Sequence, residues 1–316
     1  MIVDIILIIA GIALVLYGAD RLTAGASALA RRMNIPEIII GLTIVAAGTS
    51  APEFFVSFMS ALKGTPDMAV GNVVGSNIFN ILLIVGITAM VTPIKVTRST
   101  VNKDMRWAIV ASLLFLICCF GKLPLSFNGC SLSRMNGFVL LAFFAFFMYQ
   151  TLKGAKGNPT EVAQASNDSI VKNIAFFIAG LAMLIFGSNI FVDSASSVAT
   201  SLGVSQGIIG LTIVAGGTSL PELATSVVAA KKGNSAIAIG NVIGSNVFNI
   251  LAILGTTALI CPLQIQGITP IDILVMGGSV FLLWLFSFTK LTVARWEGAV
   301  LTILFFIYMI YLLSNI

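Results

Sequence analysis

Two glutamates carry the chemistry this sequence can do. Of twelve acidic residues, ten fall in loops or near the ends of apolar stretches, and only Glu53 and Glu222 fall in the middle of one. An ionised side chain at bilayer depth costs at least a few kcal/mol, so its default reading is functional. No Lys or Arg lies mid-stretch to serve as a partner. Two such carboxylates must meet a cation or stay protonated. Each follows a proline, in Thr49-Ser50-Ala51-Pro52-Glu53 and Thr218-Ser219-Leu220-Pro221-Glu222. Proline has no N–H and clashes with the carbonyl four residues back, so the carbonyls near Gly48 and Gly217 lose helical partners. Those glycines also let the chain unwind cheaply. Freed carbonyls at membrane depth are tolerated where they line a cavity or bind something. Carbonyl, hydroxyl and carboxylate oxygens are the ligand set of hard cations such as Ca²⁺ and also suit Na⁺. A plain proline kink, satisfied by Ser or Thr back-bonding, does not explain an adjacent glutamate twice.

A second polar wall comes from GNVVGSNIFNIL at 71–82 and GNVIGSNVFNIL at 240–251. Asn72, Ser76 and Asn80 are spaced i, i+4, i+8 and form one stripe on a helix. Asn241, Ser245 and Asn249 repeat it. Gly71 with Gly75, and Gly240 with Gly244, are small-residue pairs that permit close helix approach. For Asn72 and Asn241, hydrogen bonding between helices is as good a reading as ion binding.

The elements that must position these residues are membrane helices. The chain has 316 residues, 58% hydrophobic and 9% charged, with mean hydropathy +1.06. Soluble domains are roughly 45–50% apolar and about 25% charged, so a water-soluble fold is excluded. The net charge of +5 is too small and scattered for nucleic-acid binding. With no histidine, His-based catalysis and most zinc sites are excluded. Cys118, Cys119, Cys130 and Cys261 lack metal-ligand spacing and read as buried small hydrophobes. Hydropathy gives ten segments, near 2–18, 36–62, 68–91, 106–121, 135–152, 170–192, 206–230, 236–260, 271–288 and 297–313. The N-terminal stretch lacks a basic leader and a cleavage site and reads as a retained first helix.

An internal repeat organises them. GLTIVAAGTSAPE at 41–53 matches GLTIVAGGTSLPE at 210–222 at 11 of 13 positions, and the GN motifs match at 10 of 12. Both matches share a shift of 169 residues, as do Gly18 with Gly187 and Pro93 with Pro262. Each half holds five segments, an odd number, so the second copy must insert upside down. Inverted repeats are a transporter architecture with the substrate site near the midplane. The expected fold is therefore an all-α membrane protein of ten transmembrane helices. Residues 1–152 and 169–316 form two inverted five-helix repeats, and 153–168 form a short polar linker. Fourteen of the seventeen Lys and Arg residues fall in odd-numbered connections, and only Lys63, Lys122 and Arg134 fall in even ones. The positive-inside rule then puts the odd connections and the linker in the cytoplasm and both termini outside.

The motif pair GTSxPE and GNxxGSNxxN, present twice in inverted halves, resembles the α-repeats of the sodium/calcium exchanger family within the cation/calcium antiporter superfamily. The resemblance covers the whole chain, and its length and short central loop are similar to those of prokaryotic members. It implies a core of helices 2, 3, 7 and 8. It also implies Ca²⁺ held by Glu53 and Glu222 with the carbonyls of Thr49 and Thr218. Flanking Na⁺ sites would use Ser50, Ser76 and Glu222 with the Ala46 carbonyl, and Ser219, Ser245 and Glu53 with the Ala215 carbonyl. Asn80 and Asn249 would lie between them, in a central site open to an ion or to water. Some members, including potassium-dependent ones, carry Asp where this chain has Asn249, which argues against potassium co-transport.

The expected function is secondary-active exchange of Na⁺ for Ca²⁺ across the cytoplasmic membrane by alternating access. Lipid surrounds the protein, no resident cofactor is needed, and no obligatory protein partner is evident. A proton-coupled Ca²⁺ exchanger is the alternative, since each glutamate could trade a cation for a proton. An intramembrane hydrolase would need a mid-membrane Lys, His or Asp that the chain lacks. A channel would pass ions without a counter-ion.

Overall fold

Helix boundaries follow the punctuation of the chain. The structure is a computed structural model that describes residues 1–120, 130–155, 170–203, 213, 215–265 and 268–314. Helix α1 (Ile2–Met33) ends where Asn34 takes the left-handed conformation at φ 56°, just before Pro36. It runs straight through Asp20 and Arg21, where hydropathy alone predicts a loop from residue 19. The run Ala24-Gly25-Ala26-Ser27-Ala28-Leu29-Ala30 explains this, because alanine and leucine sustain a helix whether or not lipid surrounds it. At 1.5 Å per residue its 32 residues exceed a ~30 Å hydrocarbon core, so the helix tilts or protrudes. Helix α7 (Ile170–Ser201) likewise outruns its expected end at 192 and stops before Gly203, at φ 82°.

Next come α2 (Glu37–Thr49) and α3 (Ala51–Leu62), which meet at a bend of 47°. Helix α4 spans Pro66–Val91, with a π-helical stretch at Phe79–Val85. Helix α5 (Met105–Phe120) is entered through a π-helical turn, Thr100–Asp104, and α6 is Arg134–Ala155. In the second half, α8 (Ala215–Thr218) and α9 (Leu220–Lys231) precede α10 (Ser235–Ile260), which has π-helical turns at Phe248–Leu254. The chain closes with α11 (Pro270–Lys290) and α12 (Arg295–Ser314). Among the described residues, seven helices are long and apolar enough to cross a membrane, or eight if the bent pair is one span. Helix α5 has 16 residues, and much of the stretch before α9 lies outside the described residues, as does most of the 153–168 linker.

Burial sorts these helices. The apolar windows of α4 and α10 are 72% and 94% buried, whereas those of α1 and α6 are each 22% buried. Polar-studded helices thus lie inside, and the aliphatic α1 turns Ile2, Ile6, Ile9 and Leu16 outward, as a lipid-facing helix does. Close approaches depend on glycine. A Cβ on Gly18 of α1 would stand 2.8 Å from the Gly180 carbonyl of α7, and one on Gly244 of α10 would stand 2.6 Å from the Leu42 carbonyl of α2. Gly240 is equally tight against the Ile38 carbonyl, at 2.8 Å. The other expected pair differs: among the described residues nothing comes within 4 Å of a Cβ on Gly75, and only Ile268 approaches one on Gly71. The 204–212 stretch that the repeat would place opposite them is outside the described residues.

Among the described residues, four short strands tie the connections together. Strand β1 (Ile94–Lys95) pairs antiparallel with β4 (Thr292–Val293), and β2 (Cys130–Leu132) with β3 (Leu263–Ile265). The first pair joins the third and ninth connections, and the second joins the fourth and eighth. Lys232, after α9, reaches the Asp20 carboxylate of α1 at 2.6 Å and its carbonyl at 3.0 Å, linking the seventh connection to the first. In the numbering of the ten expected segments, these contacts join odd connections to odd and even to even. One expectation is corrected in part: Cys119 is buried in the core as expected but is disulfide-bonded, while Cys118 and Cys261 are free and only partly buried. Its place inside an apolar run hides that Cys119 stands one residue from the end of α5.

Candidate functional site

The two Gly-Thr-Ser-x-Pro-Glu segments break their helices at the serine. Ser50, between α2 and α3, has φ −81° and ψ 7°, and Ser219, between α8 and α9, has φ −91° and ψ 6°. Pro52 and Pro221 occupy the first turns of α3 and α9, where a missing N–H costs nothing. Glu53 and Glu222 follow in those same first turns, at the positive end of each helix dipole. Both glutamates are 1% exposed.

Each carboxylate is held by the opposite half of the chain. Ser219 donates its hydroxyl to Glu53 Oε1 at 3.1 Å, and Ser50 donates to Glu222 Oε1 at 3.1 Å. Ser76 also donates to Glu53 Oε1, at 3.4 Å, and Ser219 lies 3.3 Å from Ser76. The resemblance groups Ser76 with Ser50 and Glu222; the hydrogen bonds attach it to Glu53 and Ser219. The Ala46 carbonyl already accepts the Ser50 N–H at 2.9 Å and the Thr49 hydroxyl at 3.4 Å. Thr49 also donates to Asn241 Oδ1 at 3.0 Å, which ties α2 to α10. Thr218 ends α8, whose first residue is Ala215.

The polar stripes of α4 and α10 close the site. Asn72 donates to the Glu53 carbonyl at 3.2 Å and to Ser57 Oγ at 2.9 Å. Asn241 donates to the Glu222 carbonyl at 3.4 Å and to Ser226 Oγ at 3.2 Å. Both asparagines brace the glutamate-bearing helices, the hydrogen-bonding alternative left open by the spacing. Sequence reasoning missed Ser57 and Ser226, and also Asn77 and Asn246, whose amides join α4 to α10. The signal was available: all four recur at the same shift of 169 residues.

Among the described residues, five oxygens in this buried place have no partner: Glu53 Oε2, Glu222 Oε2, Asn80 Oδ1, Asn249 Oδ1 and Ser245 Oγ. All five side chains are 1% exposed or less. Orphaned buried acceptors are costly, and carboxylate oxygens most of all. Other buried acids show the contrast. Asp272 accepts from the Thr269 N–H at 2.7 Å and from Tyr308 at 2.8 Å, and Glu297 accepts from the Ala294 N–H at 2.7 Å. Those two cap helices. Glu53 and Glu222 have no Lys or Arg among the described ion pairs, and the unused oxygens are what a bare cation needs. A cavity of about 240 Å³ nearby, between Ile12, Val15 and Leu16 of α1 and Leu220, Leu223 and Val227 of α9, offers only apolar side chains and no ion ligands.

Comparison with known proteins places the whole chain. The family model described as "Sodium/calcium exchanger protein" matches residues 3–153 and 172–314, two stretches whose starts are again 169 residues apart. The sodium/calcium exchanger MaX1 of Methanosarcina acetivorans is 30% identical, covering 98% of each chain. The inner membrane protein YrbG of Escherichia coli is 37% identical over 82% of this chain and 81% of that one. Among solved structures, the sodium-calcium exchanger NCX_Mj superposes with a TM-score of 0.82 at 32% identity, covering 98% of each chain.

Proposed function

The chain belongs to the sodium/calcium exchanger family and is a multi-pass membrane transporter rather than an enzyme, and from that premise we propose that it exchanges Na⁺ for Ca²⁺ across the cytoplasmic membrane by alternating access. In this reading ten spans form two inverted repeats, residues 1–152 and 169–316, joined by the 153–168 linker. Spans 2, 3, 7 and 8 form the core. The reciprocal hydrogen bonds support it, since Ser50–Glu222 and Ser219–Glu53 exchange places under a shift of 169 residues. So do the contacts of Asn72 and Asn241.

The observation that carries the proposal is the set of five unpartnered oxygens around two carboxylates. Glu53 and Glu222, with the carbonyls of Thr49 and Thr218, hold Ca²⁺. Ser50, Ser76 and the Ala46 carbonyl, and Ser219, Ser245 and the Ala215 carbonyl, serve Na⁺ on either side. Asn80 and Asn249 lie at the centre. Two carboxylates supply two negative charges, matched by one Ca²⁺ or by two Na⁺. Both cargoes together would leave excess positive charge in a low-dielectric place, where repulsion is strong. Mutually exclusive occupancy is the basis of exchange.

Orientation follows the charge bias, with the odd connections and the linker cytoplasmic and both termini outside. The Cys119 disulfide supports it, because Cys119 lies one residue from the end of α5, at the mouth of the fourth connection, an even one, and disulfides persist in oxidising compartments. The test is ⁴⁵Ca²⁺ uptake into proteoliposomes under outward gradients of Na⁺, K⁺ or H⁺ imposed one at a time. Uptake is expected with Na⁺ alone. Uptake driven only by H⁺ would replace sodium coupling with proton coupling.

A further inference from the structure

The amides of Asn80 and Asn249 could face an ion with either end, and only the oxygen end is useful. An amide NH₂ aimed at a cation repels it. Something must choose the orientation, and the choice cannot come from the ion if the site is to be ready before it arrives.

The chain of hydrogen bonds behind these residues makes that choice. Asn80 donates through Nδ2 to Asn246 Oδ1 at 3.0 Å, and Asn249 donates through Nδ2 to Asn77 Oδ1 at 3.0 Å. Asn246 in turn donates through Nδ2 to the Asn77 backbone carbonyl at 3.3 Å, and Asn77 donates to the Asn246 backbone carbonyl at 3.2 Å. Asn77 and Asn246 are fully buried, at 0% and 1% exposed. A backbone carbonyl accepts and never donates. Asn246 must therefore turn its NH₂ to Asn77 and its oxygen to Asn80. That oxygen holds the Asn80 NH₂, and Asn80 Oδ1 is left unpartnered. The mirror chain leaves Asn249 Oδ1 unpartnered. Flipping either member would set oxygen against oxygen in a buried place. The orientation is thus fixed by backbone at both ends.

We infer that Asn77 and Asn246 are positioning residues that keep the amide nitrogens of Asn80 and Asn249 out of the ion site and present only their oxygens to it. The inference rests on the proposed ion site and adds two residues that touch no ion themselves. It also accounts for Asn77 and Asn246 lying off the Asn72–Ser76–Asn80 and Asn241–Ser245–Asn249 stripes. They face across to the other repeat and act from behind.

The test is a double-mutant cycle on the full-length protein, read by ⁴⁵Ca²⁺ equilibrium binding in detergent and by Na⁺-driven ⁴⁵Ca²⁺ uptake in proteoliposomes. Asn246→Ala is expected to weaken Ca²⁺ binding and raise the half-saturating Ca²⁺ about tenfold, the scale of losing one oriented buried acceptor. Maximal uptake should change by no more than about twofold, within the error of such comparisons. In an Asn80→Ala background, where no amide remains to orient, the same substitution should shift affinity by less than about twofold. Asn77→Ala against Asn249→Ala gives the same cycle on the other arm, should Asn246→Ala fail to fold. An unchanged affinity, or a full tenfold shift that persists without Asn80, would overturn the positioning role. A parent protein that binds Ca²⁺ but shows no Na⁺-driven uptake would overturn sodium exchange alone, and the binding cycle would still decide the role of Asn246. A parent that binds no Ca²⁺ would overturn both.

Discussion

Removing one carboxylate charge is the sharpest perturbation the structure suggests. Glu53→Gln keeps the oxygen that accepts from Ser219 and Ser76, and Glu222→Gln keeps the one that accepts from Ser50. Local packing and these bonds survive. What changes is the other oxygen, unpartnered in each glutamate, which becomes an NH₂ group. At an effective dielectric constant of about 20, a unit negative charge and a divalent ion 4 Å apart attract by about 8 kcal/mol, and a monovalent ion by about 4 kcal/mol. Relief of the buried carboxylate's desolvation offsets much of this. If a third of the divalent attraction is lost outright, Ca²⁺ binding falls about 100-fold. The loss for Na⁺ should be roughly half as large in free energy, so each variant should shift preference from Ca²⁺ toward Na⁺. Calorimetric Ca²⁺ titration and ⁴⁵Ca²⁺ exchange on purified variants read both effects. The two variants should suffer alike, because each glutamate accepts from the serine of the other half's Gly-Thr-Ser segment and keeps one oxygen unpartnered. A carboxylate that is merely a protonated packing group would be mimicked by glutamine. Parental Ca²⁺ binding in either variant would therefore refute the shared two-carboxylate site.

Other outcomes follow from the helix breaks, the close contacts and the topology. Pro52→Ala and Pro221→Ala restore an N–H four residues beyond the Gly48 and Gly217 carbonyls and should lower transport more than expression; normal Ca²⁺ affinity in both would make the breaks plain kinks. Gly244→Val places a branched side chain where even a Cβ would stand 2.6 Å from the Leu42 carbonyl, and should cost about 1–3 kcal/mol or more, read as a lower unfolding temperature in detergent. In a background lacking the free cysteines, Ser166→Cys in the linker, which is outside the described residues, should label only from the cytoplasmic side; labelling of intact cells by an impermeant reagent would reverse the orientation. Reduction of the Cys119 disulfide should lower thermal stability, with a typical scale of about 2–4 kcal/mol, and an unchanged melting temperature would show that the bond constrains nothing.

The residues whose chemistry is unusual for their setting could be read from the sequence. Glu53 and Glu222 stood out because a carboxylate in an apolar run has no bland reason to be there, and the structure brings each onto a serine of the other half. The Asn-Ser-Asn stripes were readable from helical spacing, and the high burial of α4 and α10 agrees with their small and polar composition. Helix ends were not readable. Hydropathy ends α1 at residue 18 because Asp20 and Arg21 are charged, but beyond them Leu22, Ala26, Leu29 and Ala30 are buried against the rest of the chain and the helix runs on to Met33. The short strands were invisible, since two or three residues carry no periodicity. Asn77 and Asn246 escaped because a spacing rule picks one face of a helix. Their partners lie across the repeat axis, which only the folded chain brings together.

The claim that one site serves both ions is tested most directly by competition on the purified protein. ⁴⁵Ca²⁺ bound at equilibrium is measured as Na⁺ is raised at constant ionic strength, with K⁺ making up the balance. Charge matching at Glu53 and Glu222 predicts one Ca²⁺ per chain, displaced completely by Na⁺ with a Hill coefficient of about two or more, and not by K⁺. Ca²⁺ that stays bound at saturating Na⁺, or leaves equally well in K⁺ alone, would contradict mutually exclusive occupancy.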